Sequence, residues 1–351
     1  MDVRSYRPSD DEQREDLQLR YPVAPGVSGC RRYRRLVAHA EMYEHHRTFV
    51  AEHEGKVVGI VSGALKCVWV RGEPLKVGYF FDMRVAPQAR GQGVASALYS
   101  HVESAMREDG AAGAYLIVMT ANTAVRPLTQ RIGLEQTALV ETVAVPVQRR
   151  QRVRADVRTL SSSAAMAEQV DSHFAGHDLF VPGLERYPVS GRFTRYYAQT
   201  GSSFAGVTQS THGCAFEEVI QPKSVWTPAM RGLLRALSVA GPVPAIPVRE
   251  QPVSTWQLGE PVIAGPEGER LFQDVVSHVN NLALESDVDW LLLPLVKNDP
   301  LHRSLRRAFF ARRLCPMLRP FLTVQAVLLV KSLTEAFPRR LERIYLDARD
   351  F

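Results

Sequence analysis

Apolar and polar positions change rhythm repeatedly along the first half of the chain, and each change predicts an element. Residues 3–8, "VRSYRP", read as a short strand, and residues 9–20 open with the helix-capping residues Ser9 and Asp10. Helix-period apolar positions predict a helix over 29–43. Residues 47–66 read as a hairpin of two β-rich runs around the turn residues Glu54 and Gly55. A strand is predicted over 75–85, a helix over 93–108, a strand over 114–120, a short helix over 124–131 and a last strand over 141–148.

The second half is richer in proline between Pro182 and Pro266, and its pattern is less even. Strand signals fall on 193–209, around a turn, and on 214–221. A helix is predicted over 227–241, with Thr227 as N-cap, Pro228 at the first position and Gly241 at the end. Further helices are expected over 268–285 and 299–313, with a buried strand at 288–296, another strand at 322–333 and an extended segment at 343–351. Both halves therefore close on strand, short helix, strand, which suggests two related units with diverged sequences.

A length of 351 residues suits two domains. The break is placed in "RRQRVRADVRTLSSS", giving domains at 1–148 and 164–351 with a linker over 149–163. Its arginines alternate with other residues as on a solvated strand, and no aromatic residues interleave to stack on bases, so nucleic acid is not expected as a partner. A net charge of +6 is compatible with an anionic ligand without demanding one. Cys30, Cys67, Cys214 and Cys315 are too dispersed for a zinc knuckle or a redox pair, so no metal is expected and reduced thiols are. Apolar stretches such as 324–330 are too short to span a bilayer, and the first residues lack a secretory apolar region. A cytoplasmic protein without a membrane partner is the expectation; oligomeric state is not readable.

The chemistry concentrates in "MRVAPQARGQGVASALYSHVES", residues 83–104. A dinucleotide fold needs a third glycine where Ser96 stands, and a P-loop needs a Lys-Ser or Lys-Thr that is missing. The pattern R/Q-x-x-G-x-G/A is filled by Arg90, Gly93 and Ala95, with Gly91, Gln92 and Val94 between. Free amides at a helix start point at an anion, the helix dipole adds attraction, and small residues let a pyrophosphate approach.

This stretch resembles motif A of the GCN5-related N-acetyltransferases, and "ANTAVRPLTQRIGL", residues 121–134, resembles their motif B through Asn122, Leu128, Gly133 and Leu134. The resemblance covers about residues 3–147. It implies an α/β (α+β) fold with a central mixed, mostly antiparallel sheet flanked by helices, followed by a second α/β domain read as a degenerate unit of the same kind. "PLTQRIGL" and "RIYLDARDF" also resemble the plant hookless-type acetyltransferases, which would allow a nuclear location.

The resemblance implies an acetyl-CoA-dependent N-acetyltransferase in which an amine attacks the thioester directly, the acceptor being a protein lysine, a protein N-terminus or a small amine. The backbone of Met83, Arg84 and Val85 would pair with the pantetheine arm, and an amide there, of Met83 or Arg84, would hold the oxyanion. The amides of Arg90, Gly91, Gln92, Gly93, Val94 and Ala95 would cradle the pyrophosphate, with Asn122 facing the cofactor. Alternation puts Tyr79, Phe81 and Met83 on one face of the strand and Phe80, Asp82 and Arg84 on the other. Asp82, the carboxylate of that strand, is the candidate general base, and Tyr79 a candidate lining residue. Thr129 stands in the motif where the family often has a tyrosine acid. That substitution keeps open a second reading, a non-catalytic acyl-CoA-binding module. The second half has no copy of R/Q-x-x-G-x-G/A.

Overall fold

The structure, a computed structural model, describes residues 1–24, 27–147, 150–187, 192–211, 215–222, 252–297 and 323–351. The helices expected over 227–241 and 299–313 lie outside these residues, as do Cys214 and Cys315.

The strands of the first half are β1 (Asp2–Ser5), β2 (Leu19–Ala24), β3 (Val27–Tyr33), β4 (His46–His53), β5 (Lys56–Val70), β6 (Glu73–Val85), β7 (Gly113–Met119) and β8 (Glu135–Pro146). Those of the second are β9 (Arg158–Leu160), β10 (Phe193–Thr200), β11 (Ser203–Ser210), β12 (Phe216–Pro222), β13 (Pro252–Val253), β14 (Thr255–Ala264), β15 (Trp290–Val296) and β16 (Thr323–Ser332). Four α-helices are described: α1 (Val94–Glu108), α2 (Arg126–Arg131), α3 (Ser163–Phe174) and α4 (Gly268–Glu285).

Twelve strands form one sheet, in the order β1-β4-β5-β6-β7-β16-β8-β15-β14-β11-β10-β9. The neighbours pair antiparallel except at two places, β6 with β7 and β14 with β15. Outward from the centre, the two wings repeat one another: β7-β6-β5-β4-β1 on one side and β15-β14-β11-β10-β9 on the other. Each parallel pair is bridged by a helix, α1 or α4. The middle is exchanged, because β16 lies beside β7 while β8 lies beside β15. The sheet thus runs unbroken through both halves of the sequence.

Period explains the helices. α1 buries Val94, Leu98, Tyr99, Val102, Ala105 and Met106 against β4, β5 and β6. α4 buries Leu271, Phe272, Val275, Val276, Val279 and Ala283 against β10, β11 and β14. Close approach of α1 to β5 needs Gly63, where a Cβ would stand 2.6 Å from a Val102 methyl. The hairpin turn falls at Glu54 and Gly55, both with positive φ.

Three local expectations fail. The helix expected over 29–43 is instead β3, followed by a 3-10 turn at Ala40–Met42. β3 is sandwiched between β2 and β12 in a four-stranded second sheet, so a partner almost two hundred residues away overrides the local period. Residues 9–20 give the 3-10 helix Pro8–Leu17, capped at Arg7 rather than at Ser9 or Asp10; the Asp10 carboxylate accepts the Arg7 N–H. The segment 343–351 is not extended to its end but turns through a 3-10 step, Ala348–Asp350, with Tyr345, Asp347, Arg349 and Asp350 buried.

Candidate active site

β6 and β7 pair only where the middle of β6, Val77–Tyr79, meets the start of β7, Gly113–Tyr115, and then part. Two parallel strands that separate leave a V-shaped slot between main-chain edges, and their C-terminal ends open on the same side. Along β7 the slot is lined by part-exposed Leu116, Ile117, Val118 and Met119. An extended ligand can bond to such an edge as an added strand.

The loop after β6, residues 86–93, ends in two glycines with φ +77 and +83, Gly91 and Gly93, and a Cβ at either would meet nothing within 4 Å. The first bond of α1 runs from the Ala97 N–H to the Gly93 oxygen, so the amides of Val94, Ala95 and Ser96 have no partner inside the helix. The result is an open anion cradle at a dipole's positive end. Arg90 is exposed and donates its Nε–H to the Val85 oxygen at 3.2 Å, which ties the loop to the strand. Gln92 braces the loop through Gln88 O at 3.0 Å. Asn122 is exposed just beyond the end of β7, on the same side of the sheet as this loop.

β6 carries a bulge. Ile60 faces Arg84 and Ser62 faces Phe81, so Asp82 and Met83 both stand opposite Val61. Asp82 has φ +53. The extra residue breaks the expected alternation: Met83 and Val85 join Phe80 on the α1 face, while the Asp82 and Arg84 side chains turn to the face of Tyr79 and Phe81. The Asp82 side chain is only 4% exposed although the residue as a whole is part-exposed, so the exposure lies on its main chain. Tyr33 donates its hydroxyl to Asp82 at 2.7 Å, and His39 Nδ1 lies 3.3 Å from the other oxygen. Burial alone would raise this carboxyl, but His39, Arg84 and the Tyr33 hydrogen bond overcome it and hold the group well below the usual carboxylate range. A carboxylate so enclosed and so acidic is poorly suited to take a proton from an amine.

Beside the bulge lies a polar floor that sequence patterning did not single out. Phe81, Tyr79 and Tyr115 stack in a row across the apex of the V, at 4.9 Å between successive ring centres. Buried Lys66 of β5 ion-pairs with Asp347, at 3.0 Å, and with Asp350. It also faces the rings of Tyr43 and Tyr79 at 5.0 Å. Tyr79 donates to the Asp350 main-chain oxygen at 2.8 Å and Tyr115 to its carboxylate at 2.7 Å. Burial, with the negative charge of Asp350, raises the Tyr79 and Tyr115 hydroxyls well above their ordinary value. Burial and neighbouring Asp347 push the Asp350 carboxyl upward, against the pull of Lys66. Tyr79, the candidate lining residue, is thus buried, stacked between Phe81 and Tyr115 and hydrogen-bonded to Asp350. The available signals were a lone lysine inside an apolar strand and three charges in "LDARD".

Thr129 lies on α2, buried, and donates its hydroxyl to Arg126 O at 2.9 Å in its own helix. That bond absorbs the proton a leaving-group acid would have to offer. His46 and His45 are exposed at the start of β4, His46 with Nδ1 2.9 Å from the Tyr43 oxygen.

The second wing repeats the bulge. Gly206 faces Val262 and Thr208 faces Gly259, so Glu260 and Pro261 stand opposite Val207, and Glu260 has φ +52. Glu260 thus takes the position of Asp82, and Pro261 that of Met83. The loop differs. Eight residues, 86–93, separate β6 from α1, whereas three, 265–267, separate β14 from α4. Glu267 caps α4 and places a carboxylate at the helix end where an anion would bind.

Residues 12–134 match the acetyltransferase (GNAT) family model. No curated protein matches the sequence. Among solved structures, N-myristoyltransferase of Saccharomyces cerevisiae with bound myristoyl-CoA is similar at 9% identity and a TM-score of 0.57, over 97% of this chain and 86% of that one. A Pyrococcus horikoshii protein described as an acetyltransferase is similar at 10% identity and a TM-score of 0.50, over 99% and 95% of the two chains. A GCN5-related N-acetyltransferase from Kribbella flavida is similar at 15% identity and a TM-score of 0.44, over 82% of this chain; the match spans 60% of that protein's length. Sequence match and shared fold together identify residues 12–134 as a member of the acetyltransferase (GNAT) family.

Proposed function

We propose that the chain transfers an acyl group from a coenzyme A thioester to a primary amine, and that the acyl group is short, acetyl first of all. The observation that carries this reading is the bulge of β6, set beside the slot and directly before the anion cradle of 86–93. Pantetheine would lie along the β6 edge at Met83–Val85, with the pyrophosphate on the amides of 90–95 and Asn122 at the slot mouth. The amine nitrogen attacks the thioester carbon, the C–N bond forms, the C–S bond breaks, the thiolate departs, and the proton lost from nitrogen passes through solvent to the thiolate. An amide at the bulge, that of Met83 or Arg84, stabilises the oxyanion between these events. A thiol with a pKa near 8.5 leaves without a dedicated acid, so the engagement of Thr129 is no obstacle. The amine can shed its proton to water before attack, which frees the reaction from Asp82 as a base.

The Phe81–Tyr79–Tyr115 stack supports the short acyl group, since it fills the apex of the V where a long chain would run. The acceptor, small molecule or protein, is left open by the same geometry. In this reading the cofactor belongs to residues 1–148, and 164–351 are a degenerate unit that shapes the acceptor side. Free-thiol release over a panel of amines and peptides, with acetyl-, butyryl-, octanoyl- and myristoyl-CoA as donors, tests it. Turnover that falls with chain length supports the proposal. Turnover best with myristoyl-CoA removes the short-chain part. Micromolar binding without thiol release favours a binding module, for which the engaged Thr129 hydroxyl is the supporting observation.

A further inference from the structure

Asp82 occupies a backbone conformation that L-residues adopt rarely in mid-strand, and such a residue persists only where its surroundings over-determine it. Its surroundings do so. Tyr33 and His39 hold one carboxylate oxygen each, and Arg84 Nε donates to the Asp82 main-chain oxygen at 3.2 Å. The holders are themselves held. The Arg84 guanidinium lies 3.9 Å from the centre of the Tyr33 ring and donates to the carbonyls of Leu17 and Leu36. His39 Nε2 lies 2.9 Å from the Arg349 oxygen.

The second wing reaches the same end with different residues. Glu260, at the same bulge position, accepts from Tyr187 and Tyr345 at 2.7 Å each and from Thr208, while Arg195 donates to its main-chain oxygen at 3.2 Å. An acid, tyrosine hydroxyls and an arginine on the peptide oxygen recur at one register position in both wings. Common to the two positions is the left-handed bulge itself.

We infer that Asp82 is a positioning residue, tethered by Tyr33 and His39, that holds the β6 bulge in its left-handed turn and thereby aims the amide beyond it at the thioester oxygen. This rests on the acyl-transfer reading. The tether acts through the backbone, so it affects the transition state and leaves acyl-CoA binding intact. Asparagine suits the role: it tolerates positive φ, can accept from Tyr33 and can face His39. Alanine keeps the strand but removes both tethers.

The test compares steady-state thiol release with acyl-CoA binding by calorimetry in the full chain. Asp82→Asn should keep kcat within about threefold, with the acid limb of its pH profile unmoved. Asp82→Ala should lower kcat about thirtyfold or more while the acetyl-CoA Kd changes less than about threefold, in line with loss of an oxyanion donor. Tyr33→Phe, which deletes one oxygen, should lower kcat about three- to tenfold with KM unchanged, and it carries the test if the alanine variant does not fold. Unchanged kcat in both Asp82→Ala and Tyr33→Phe overturns the inference. So does abolished turnover in Asp82→Asn, which makes the carboxylate a base. If the unsubstituted chain neither binds acetyl-CoA nor releases thiol, the acyl-transfer reading falls first, and the inference with it.

Discussion

The two wings of the sheet share a bulge at the same register, yet among the described residues they differ in the parts around it that the proposed acyl transfer uses. β6 offers a Met83 amide, an eight-residue loop with two left-handed glycines and a helix start free of acids. β14 offers Pro261, which has no N–H, a three-residue loop and Glu267 at the helix start. The bulge is thus a property of the fold, and the chemistry depends on the residues C-terminal to it. Three differences separate the wing proposed to be catalytic from the other, and each can be reversed or transplanted.

The largest effect should come from the buried charges that brace each wing. Lys66→Met leaves Asp350 without its cation and Asp347 with Arg349 alone, and Glu260→Ala removes the carboxylate beside Arg186 and Arg195, leaving Arg186 with Asp171 alone. Each should destabilise the chain by about 3–5 kcal/mol in a denaturant titration. The two should differ in what survives: folded Glu260→Ala should keep its affinity for acetyl-CoA, whereas Lys66→Met, which loosens the floor under Tyr79 and Tyr115, should lose turnover as well. Equal loss of turnover in both would merge the roles of the two wings.

Next in size is a transplant. Met83→Pro puts the proline of β14 into β6, at a bulge position that already accepts proline in the second wing. It should lower kcat about 10²–10³-fold, the loss expected for one oxyanion donor, with a much smaller change in acetyl-CoA affinity. A variant as active as the parent would move the donor to Arg84. Gly93→Val forces a β-branched residue to φ +83 and crowds the cradle, and should weaken acetyl-CoA binding about ten- to a hundredfold. Glu267→Ala, its counterpart in the second wing, should leave that binding unchanged.

The smallest effect is on acid stability. The Asp82 carboxyl is lower in the folded chain than its ordinary value near 3.9. Its contribution is therefore complete above about pH 5 and is lost as pH falls through the ordinary value toward the folded one. Melting temperatures of Asp82→Asn should fall less steeply than those of the parent between about pH 5 and pH 3. Parallel curves would mean that Asp82 does not carry its charge in the fold.

Local periodicity was enough to read α1 and α4, because each helix buries one continuous stripe against a sheet. The loop 86–93 was readable because its glycines and helix start act through main-chain groups that need no distant partner. The β6 bulge was not readable. Alternation assigned Met83 to the Phe81 face, and only pairing with β5 reveals the extra residue that moves it. The failure at 29–43 has the same origin, since β3 is a strand on account of β12. Tyr33, His39, Lys66 and Asp350 were missed because they are scattered along the chain and become a network only when the segment 343–351 packs under β5, β6 and β7. Asp82 was read from its strand as the candidate base; the partners that bear on that reading, Tyr33 and His39, lie more than forty residues away and are brought to it only by the fold.

The difference between the wings is measured most directly by isothermal titration of the full chain with acetyl-CoA. One molecule should bind per chain, and Gly93→Val should abolish or sharply weaken that single event while Glu267→Ala leaves it as it was. A stoichiometry of two, or binding that survives Gly93→Val at full strength, would contradict the assignment of the cofactor to the first wing.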